Sequence, residues 1–181
     1  MNEEMIIAGF GGQGVLSMGK ILAYSGIMQD LHVSWMPSYG PEMRGGTANV
    51  TVILSEDEIS SPILNTYDTA IILNQQSLDK FEASVKNGGV LIYDPYGIVV
   101  PPTRKDITIY TIDAANEAAA LKNAKVANMI VLGAYLKVKG LLEYKHVVEG
   151  LGKSLPERYH HLIPMNEAAL KIGMSKVKSL N

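Results

Sequence analysis

An α/β fold built on an open, mostly parallel, Rossmann-like sheet with flanking helices is predicted by three features of this 181-residue chain. Short apolar, β-branched runs alternate with stretches of helical periodicity, the pattern of a sheet covered by helices. A glycine-rich turn follows the first such run and opens the first helical stretch. The C-terminal third reads as mostly helical, and no repeat or linker composition divides the chain, so residues 1–181 are expected to form a single domain.

Met5-Ile6-Ile7-Ala8 is too short for a free-standing helix and reads as a buried parallel strand. After Gly14, the residues Val15, Met18, Ile21, Leu22, Ser25 and Met28 recur at three- and four-residue steps, the spacing of a helix face. His32 to Met36 reads as a second strand stopped by Pro37, and 38–46 as a loop carrying three glycines and a proline. Thr47 to Leu54 is β-branched and alternating, a third strand. Only a loop precedes it, so it has the connection length for antiparallel pairing. Strands also fit 69–73, 89–93 and 107–112, giving a sheet of about five or six strands. A helix over 75–86 is expected to close at Asn87-Gly88-Gly89. Helices fit 114–121, 144–151 and 166–177. The stretch 126–138 is apolar nearly all round, as in a central buried helix or one shared with a partner at a subunit interface.

Composition narrows the function. Hydrophobic residues are 47%, charged residues 19% and mean hydropathy is +0.10, which excludes disorder as the main state. A net charge of -2 supplies no basic footprint for nucleic acid. The acidic start Met1-Asn2-Glu3-Glu4 has no basic region of a signal peptide, and the longest apolar stretch, Val126 to Leu136, is too short to span about 30 Å of bilayer. A cytoplasmic chain with no membrane partner is expected. The absence of cysteine excludes disulfides, a Cys nucleophile and an iron–sulfur cluster held by this chain's own thiolates.

Gly9-Phe10-Gly11-Gly12-Gln13-Gly14 matches G-x-G-x-x-G in the required context, strand before and helix after. Glycines let backbone approach a ligand closely, and a helix N-terminus offers free N–H groups to a phosphate. The bland alternative is a turn that merely joins strand to helix. A nicotinamide or flavin dinucleotide fits poorly, because the second strand ends at Ser34-Trp35-Met36-Pro37 without the acid that holds ribose hydroxyls. No Gly-Lys-Ser/Thr closes a P-loop, and Lys20 lies too far into the helix for that role.

Ser38-Tyr39-Gly40-Pro41-Glu42-Met43-Arg44-Gly45-Gly46-Thr47 is the second dense segment and is expected at the same carboxyl edge of the sheet. Arg44 could present its guanidinium to a phosphate or carboxylate, or pair with Glu42. Elsewhere the residues favour bland readings. His160-His161 are adjacent and do not face one site, and His32 and His146 lack ligand-spaced partners. Glu56-Asp57-Glu58 reads as a solvated turn. Asp94-Pro95-Tyr96-Gly97 reads as a turn with Asp94 bonding backbone. No catalytic residue and no metal site is assigned.

The wording GFGGQGVLSMGK followed by MPSYGPEMRGGTANVTVILS resembles the gamma subunit of 2-oxoacid:ferredoxin oxidoreductases in residues, order and spacing. Ser60-Ser61-Pro62 and the helix entry Ala124-Lys125-Val126-Ala127-Asn128-Met129 resemble that family too. SYGPEMRGGTAN is closer in wording to the 2-oxoglutarate or branched-chain enzymes than to the pyruvate ones. The resemblance implies a division of labour: thiamine diphosphate with its magnesium on alpha and beta subunits, iron–sulfur clusters on beta or on a ferredoxin-like delta subunit, and ferredoxin as electron acceptor. The gamma domain is implied to hold no cofactor alone, to pack on the catalytic subunits and to serve the coenzyme A end of the reaction. Gly9, Gly11, Gly12, Gln13 and Gly14 are then expected to face a pyrophosphate. Ser38, Tyr39, Gly40, Glu42, Arg44, Gly45, Gly46 and Thr47 are expected to reach a phosphate or a partner. A chain isolated from such a complex is expected to form homodimers or larger species. The alternatives are a free-standing nucleotide-binding enzyme and a purely structural subunit.

Overall fold

The first strand, β1 (Asn2–Phe10), is apolar on both faces, with Met5 and Ile7 on one side and Ile6 and Ala8 on the other. Such a strand is stable only in the middle of a sheet covered twice. In the computed structural model, which describes residues 1–39 and 46–181, β1 has that place. It pairs antiparallel with β3 (Thr47–Ser55) along its whole length and parallel with β4 (Tyr67–Ile72). Outward from β3 lies β2 (His32–Tyr39). Outward from β4 come β5 (Val85–Tyr93), β6 (Thr108–Thr111) and β7 (Lys178–Ser179).

The result is a seven-stranded mixed sheet of order β2-β3-β1-β4-β5-β6-β7. Its β1, β4, β5 and β6 pair in parallel, while β3 and β7 run against their neighbours.

One face carries α1 (Val15–Met28), α4 (Ala127–Lys139), α5 (Tyr144–Ser154) and α6 (Ile163–Lys176), packed over Met5, Ile7, Val50, Val52 and Ile71. The other face carries α2 (Gln75–Phe81), whose Leu78 and Phe81 meet Ile6, Ala70, Ile72 and Leu91. The short α3 (Ala114–Ala120) follows β6. The α/β reading holds, with seven strands rather than five or six. No helix among the described residues is long and apolar enough to cross a membrane.

Two expectations need correction. β2 runs through Pro37 to Tyr39 instead of stopping before it. It is an edge strand, and an edge tolerates a residue without an N–H. Asn87-Gly88-Gly89 lies inside β5 and closes no helix; α2 ends at Phe81, and a single 3-10 turn over Glu82–Ser84 leads into the strand. Of the two readings of the apolar circumference of α4, the central buried helix holds. Residues 129–136 are all buried, between the sheet on one side and α6 on the other.

Glycines set how closely these helices approach. A Cβ on Gly173 would drive into the carbonyl oxygen of Ile130, and one on Gly133 into that of Leu170, so α4 and α6 touch backbone to backbone. Likewise Gly150 of α5 lies on α1, where a Cβ would come within 2.8 Å of the Ser25 nitrogen and 3.0 Å of the Ile21 carbonyl oxygen.

A buried charge closes the amino-terminal edge of the sheet. Glu3, only 2% exposed, accepts a hydrogen bond from the Thr69 hydroxyl at 2.6 Å and pairs with Lys139 at 3.0 Å. Burial pushes its carboxyl above the ordinary value of 4.5, and the Thr69 and Lys139 contacts offset this only in part.

Two outcomes follow from this packing. Gly173→Ala gains helix propensity yet is expected to lose about 2 kcal/mol of stability by overpacking, roughly 4–8 °C in Tm, whereas Gly152→Ala, where a Cβ meets nothing closer than 3.9 Å, is expected to be neutral or mildly stabilising. Thermal melts of both variants check this, and an unchanged Tm for Gly173→Ala would refute it. The second concerns Glu3, whose raised value means that the folded state holds this proton more tightly than the unfolded one. Its contribution is therefore full below pH 4.5 and is lost as pH rises through the shifted value. The stability of Glu3→Gln minus that of the wild type is expected to grow across that window and then level; parallel denaturation curves at every pH would show that Glu3 is not perturbed.

Candidate functional site

The glycine turn forms where β1 must end and α1 must begin without a side chain in the way. Gly12 and Gly14 take φ of +93° and +75°, left-handed values that favour glycine. Gln13 holds the turn shut: its Oε1 accepts the Phe10 N–H at 2.6 Å and its Nε2 donates to the Leu73 carbonyl at 3.3 Å. That tie joins the ends of β1 and β4, and it explains Gly9, where a Cβ would meet Gln13 Oε1 at 2.5 Å and Leu73 Cβ at 2.9 Å. Gln13 thus spends its amide on backbone instead of facing outward to a ligand.

The second segment comes to the same edge. The Gly11 N–H donates to the Gly46 carbonyl at 2.9 Å, and Thr47 stands opposite Phe10 in the sheet register. Tyr39 stands opposite Ala48, and Ala48 opposite Gly9, so the ends of β2 and β1 and the start of β3 lie level. Thr47 and Ala48 line a cavity of about 320 Å³ together with Phe10, Gly11, Gly12 and Leu16. Ser38 is exposed and lines neither this cavity nor the one described next. Gly40, Glu42, Arg44 and Gly45 lie outside the described residues.

On the α1 side, a cavity of about 410 Å³ opens between the ends of β1, β4 and β5. Gly12, Gln13, Gly14 and Ser17 form one wall, Leu73, Asp94, Tyr96 and Gly97 another, and Lys125 and Asn128 a third. The helix after β1 and the helix after β4 cover opposite faces of the sheet, so this cavity sits where the winding reverses, the place where open α/β sheets bind ligands. Met18 N–H is bonded to the Gly14 carbonyl. Ahead of it, the N–H groups of Gly12, Gly14, Val15, Leu16 and Ser17 have no partner among the described residues. A Cβ on Gly12 would meet nothing within 4 Å, so this backbone lies open to the cavity, whereas Gly14 is pressed against Asn128, whose Cγ would lie 2.7 Å from a Cβ there.

Asp94 adds the one carboxylate in that lining. It accepts the N–H groups of Tyr96 and Ala115, each at 2.9 Å, as the turn reading expects. Burial raises its pKa above 3.8 in spite of those two bonds, and the nearby Asp113 charge adds to the rise. Lys125 and Asn128 belong to the site although only their place in a motif, not their chemistry, marked them in the sequence. Asn128 is read as a site residue only once α4 is seen to abut the glycine turn. Among the described residues no cluster of His, Asp or Glu is placed to hold a metal ion.

The arrangement sets open backbone N–H groups beside a polar wall, and among the described residues it brings together no nucleophile and base. The family model for pyruvate ferredoxin/flavodoxin oxidoreductase matches residues 4–176. The chain is 41% identical over 127 residues to the ketoisovalerate oxidoreductase subunit VorA of Methanothermobacter thermautotrophicus, covering 70% of this chain and about a quarter (26%) of that longer one. It superposes with a TM-score of 0.83 on the gamma subunit of a keto/oxoacid ferredoxin oxidoreductase from Geobacter sulfurreducens, at 26% identity over 97% of this chain and 96% of that one. It shares its fold, with a TM-score of 0.86 and 22% identity, with 96% of this chain and 30% of the other covered, with a 2-oxoglutarate:ferredoxin oxidoreductase from Magnetococcus marinus solved with 2-oxoglutarate, coenzyme A and succinyl-CoA bound. A glycine turn of this wording, a mixed sheet of this order and a family match over nearly the whole length lead to one conclusion: the chain belongs to the pyruvate ferredoxin/flavodoxin oxidoreductase family, as a gamma-subunit domain.

Proposed function

We propose that the chain serves a multi-subunit, thiamine-diphosphate-dependent 2-oxoacid:ferredoxin oxidoreductase by holding coenzyme A through its pyrophosphate and presenting it to catalytic alpha and beta subunits. In that reaction a 2-oxoacid and coenzyme A give acyl-CoA, CO2 and a proton, and two electrons pass through iron–sulfur clusters to ferredoxin. The observation that carries the reading is the open backbone at Gly12, which sits among unpartnered N–H groups at the reversal point of the sheet. A pyrophosphate there would accept from the first turn of α1 and gain from its dipole. The relatives agree in kind: an enzyme of the same fold was solved with coenzyme A bound.

The rest of the chemistry falls to other chains. Without cysteine this chain has no thiolate for a cluster, and the described residues of its cleft bring together no nucleophile and base. Its own residues bind and orient. Gln13 sets the turn, the N–H groups grip the anion, and Asn128 fixes the position of the turn against α4. The partners of this reading are the alpha and beta subunits and, in complexes that have one, a ferredoxin-like delta subunit.

Gly12→Ala tests it. The new Cβ would enter the open space that the ligand needs, on a backbone that already disfavours a side chain. Losing one or two charge-assisted bonds is expected to weaken coenzyme A binding by the assembled complex about tenfold to a hundredfold, while coenzyme-A-independent decarboxylation persists. Titration calorimetry and a CO2-release assay on the assembled complex read the two arms. Unchanged coenzyme A affinity would remove the cradle role, and equal loss of both activities would mark the turn as a purely structural element.

A further inference from the structure

A second cavity, of about 590 Å³, adjoins the glycine-turn cavity and shares Ser17, Lys125 and Asn128 with it. Its volume lies within the ordinary range for small-molecule sites. Its floor is apolar, formed by Ile21 of α1, Val126 and Met129 at the start of α4, and Leu151 of α5. Among the described residues Lys20 and Lys125 are its charged lining residues, and no Asp or Glu lines it. Neither lysine belongs to an ion pair among the described residues, in a chain whose net charge is -2. Two uncompensated cations over an apolar floor describe a site for an anion joined to a flat or apolar body.

The path from one cavity to the other runs along a single face of α1. Ser17, Lys20 and Ile21 stand at i, i+3 and i+4 and therefore share that face. Lys20 is six residues beyond Gly14, about 9 Å along the axis at 1.5 Å per residue. The Lys20 ammonium rests over the Tyr24 ring, 5.9 Å from its centroid, and its long stem lets it swing over the groove by a change of rotamer. The two cavities are thus adjoining stretches of one groove along α1.

We propose that this groove recognises a second phosphate on the ligand held at the glycine turn, the 3′-phosphate of coenzyme A, through Lys20 and Lys125, with the adenine on the apolar floor. The proposal rests on the reading of the glycine turn as a pyrophosphate cradle. It makes the chain selective for a nucleoside 3′-phosphate 5′-diphosphate over ADP or a dinucleotide. That selectivity belongs to the groove and not to the turn.

The experiment compares coenzyme A with 3′-dephospho-coenzyme A by titration calorimetry on the assembled complex without 2-oxoacid. The wild type is expected to bind coenzyme A about tenfold to a hundredfold more tightly. In Lys20→Ala/Lys125→Ala that preference is expected to fall to within about twofold, the loss for coenzyme A exceeding the loss for the dephospho compound, to which Lys125 also contributes as a lining residue of the glycine-turn cavity. Lys20→Gln, which keeps most of the side-chain stem, is expected to lose part of the preference and guards against a packing defect in the double variant. Equal wild-type affinity for the two compounds, or a preference that survives both substitutions, overturns the groove proposal. Gly12→Ala separates it from the underlying reading: if that variant weakens both compounds alike while the lysine variants change nothing, the cradle stands and the groove falls. If Gly12→Ala weakens neither compound, the cradle falls, and the groove proposal with it.

Discussion

The structure is organised by a strand that has no free side. β1 is apolar on both faces and must be paired on both edges, and its two partners run in opposite senses. From that follows the rest of the plan. The parallel partner β4 requires crossovers and helices, and the antiparallel partner β3 carries the edge strand β2 antiparallel on its far side. The chain leaves β1 at the edge where the cavity between the ends of β1, β4 and β5 opens. Gln13 secures that exit by linking the end of β1 to the end of β4, so the turn inherits the rigidity of the sheet.

Much of this plan is legible in the residues. The apolar run at Met5 to Ala8, the glycines that follow and the periodicity beyond Gly14 can mean little other than strand, tight turn and helix, because each is a local statement about sterics and spacing. The illegible parts depend on residues far apart in the chain. Gln13 reads as a ligand contact until Leu73 is placed beside it, since a side-chain amide serves backbone and phosphate equally well. The apolar circumference of α4 fits an interface as well as a core, and only the glycines at 133 and 173 show that α6 lies on it. β7 has two residues, too few to carry any alternating pattern, and it exists because the end of α6 delivers it to the edge of β6. Pro37 misleads because its effect depends on whether the strand is central or at an edge.

The chemistry of the cleft is consistent with a chain that works for others. Its polar groups are mostly backbone N–H groups and neutral amides, and its buried carboxylate, Asp94, is engaged by two N–H groups of neighbouring turns. Groups of this kind hold charge without moving it. An active site that must pass protons or electrons needs partners whose pKa values or potentials are set against one another, and the described residues here bring none together around the glycine turn.

The close packing of α4 with α6, and of α1 with α5, has a mechanical consequence. Each pair touches through glycine, backbone against backbone or nearly so, and contacts of that kind do not slide. The second cavity lies along the seam between the two pairs, with Ser17, Ile21 and Leu151 on one bank and Met129 and Asn166 on the other. Its width is therefore set by how the two pairs sit on the sheet they share, not by slack within either pair. Any molecule that bridges the banks works as a clamp between two stiff jaws.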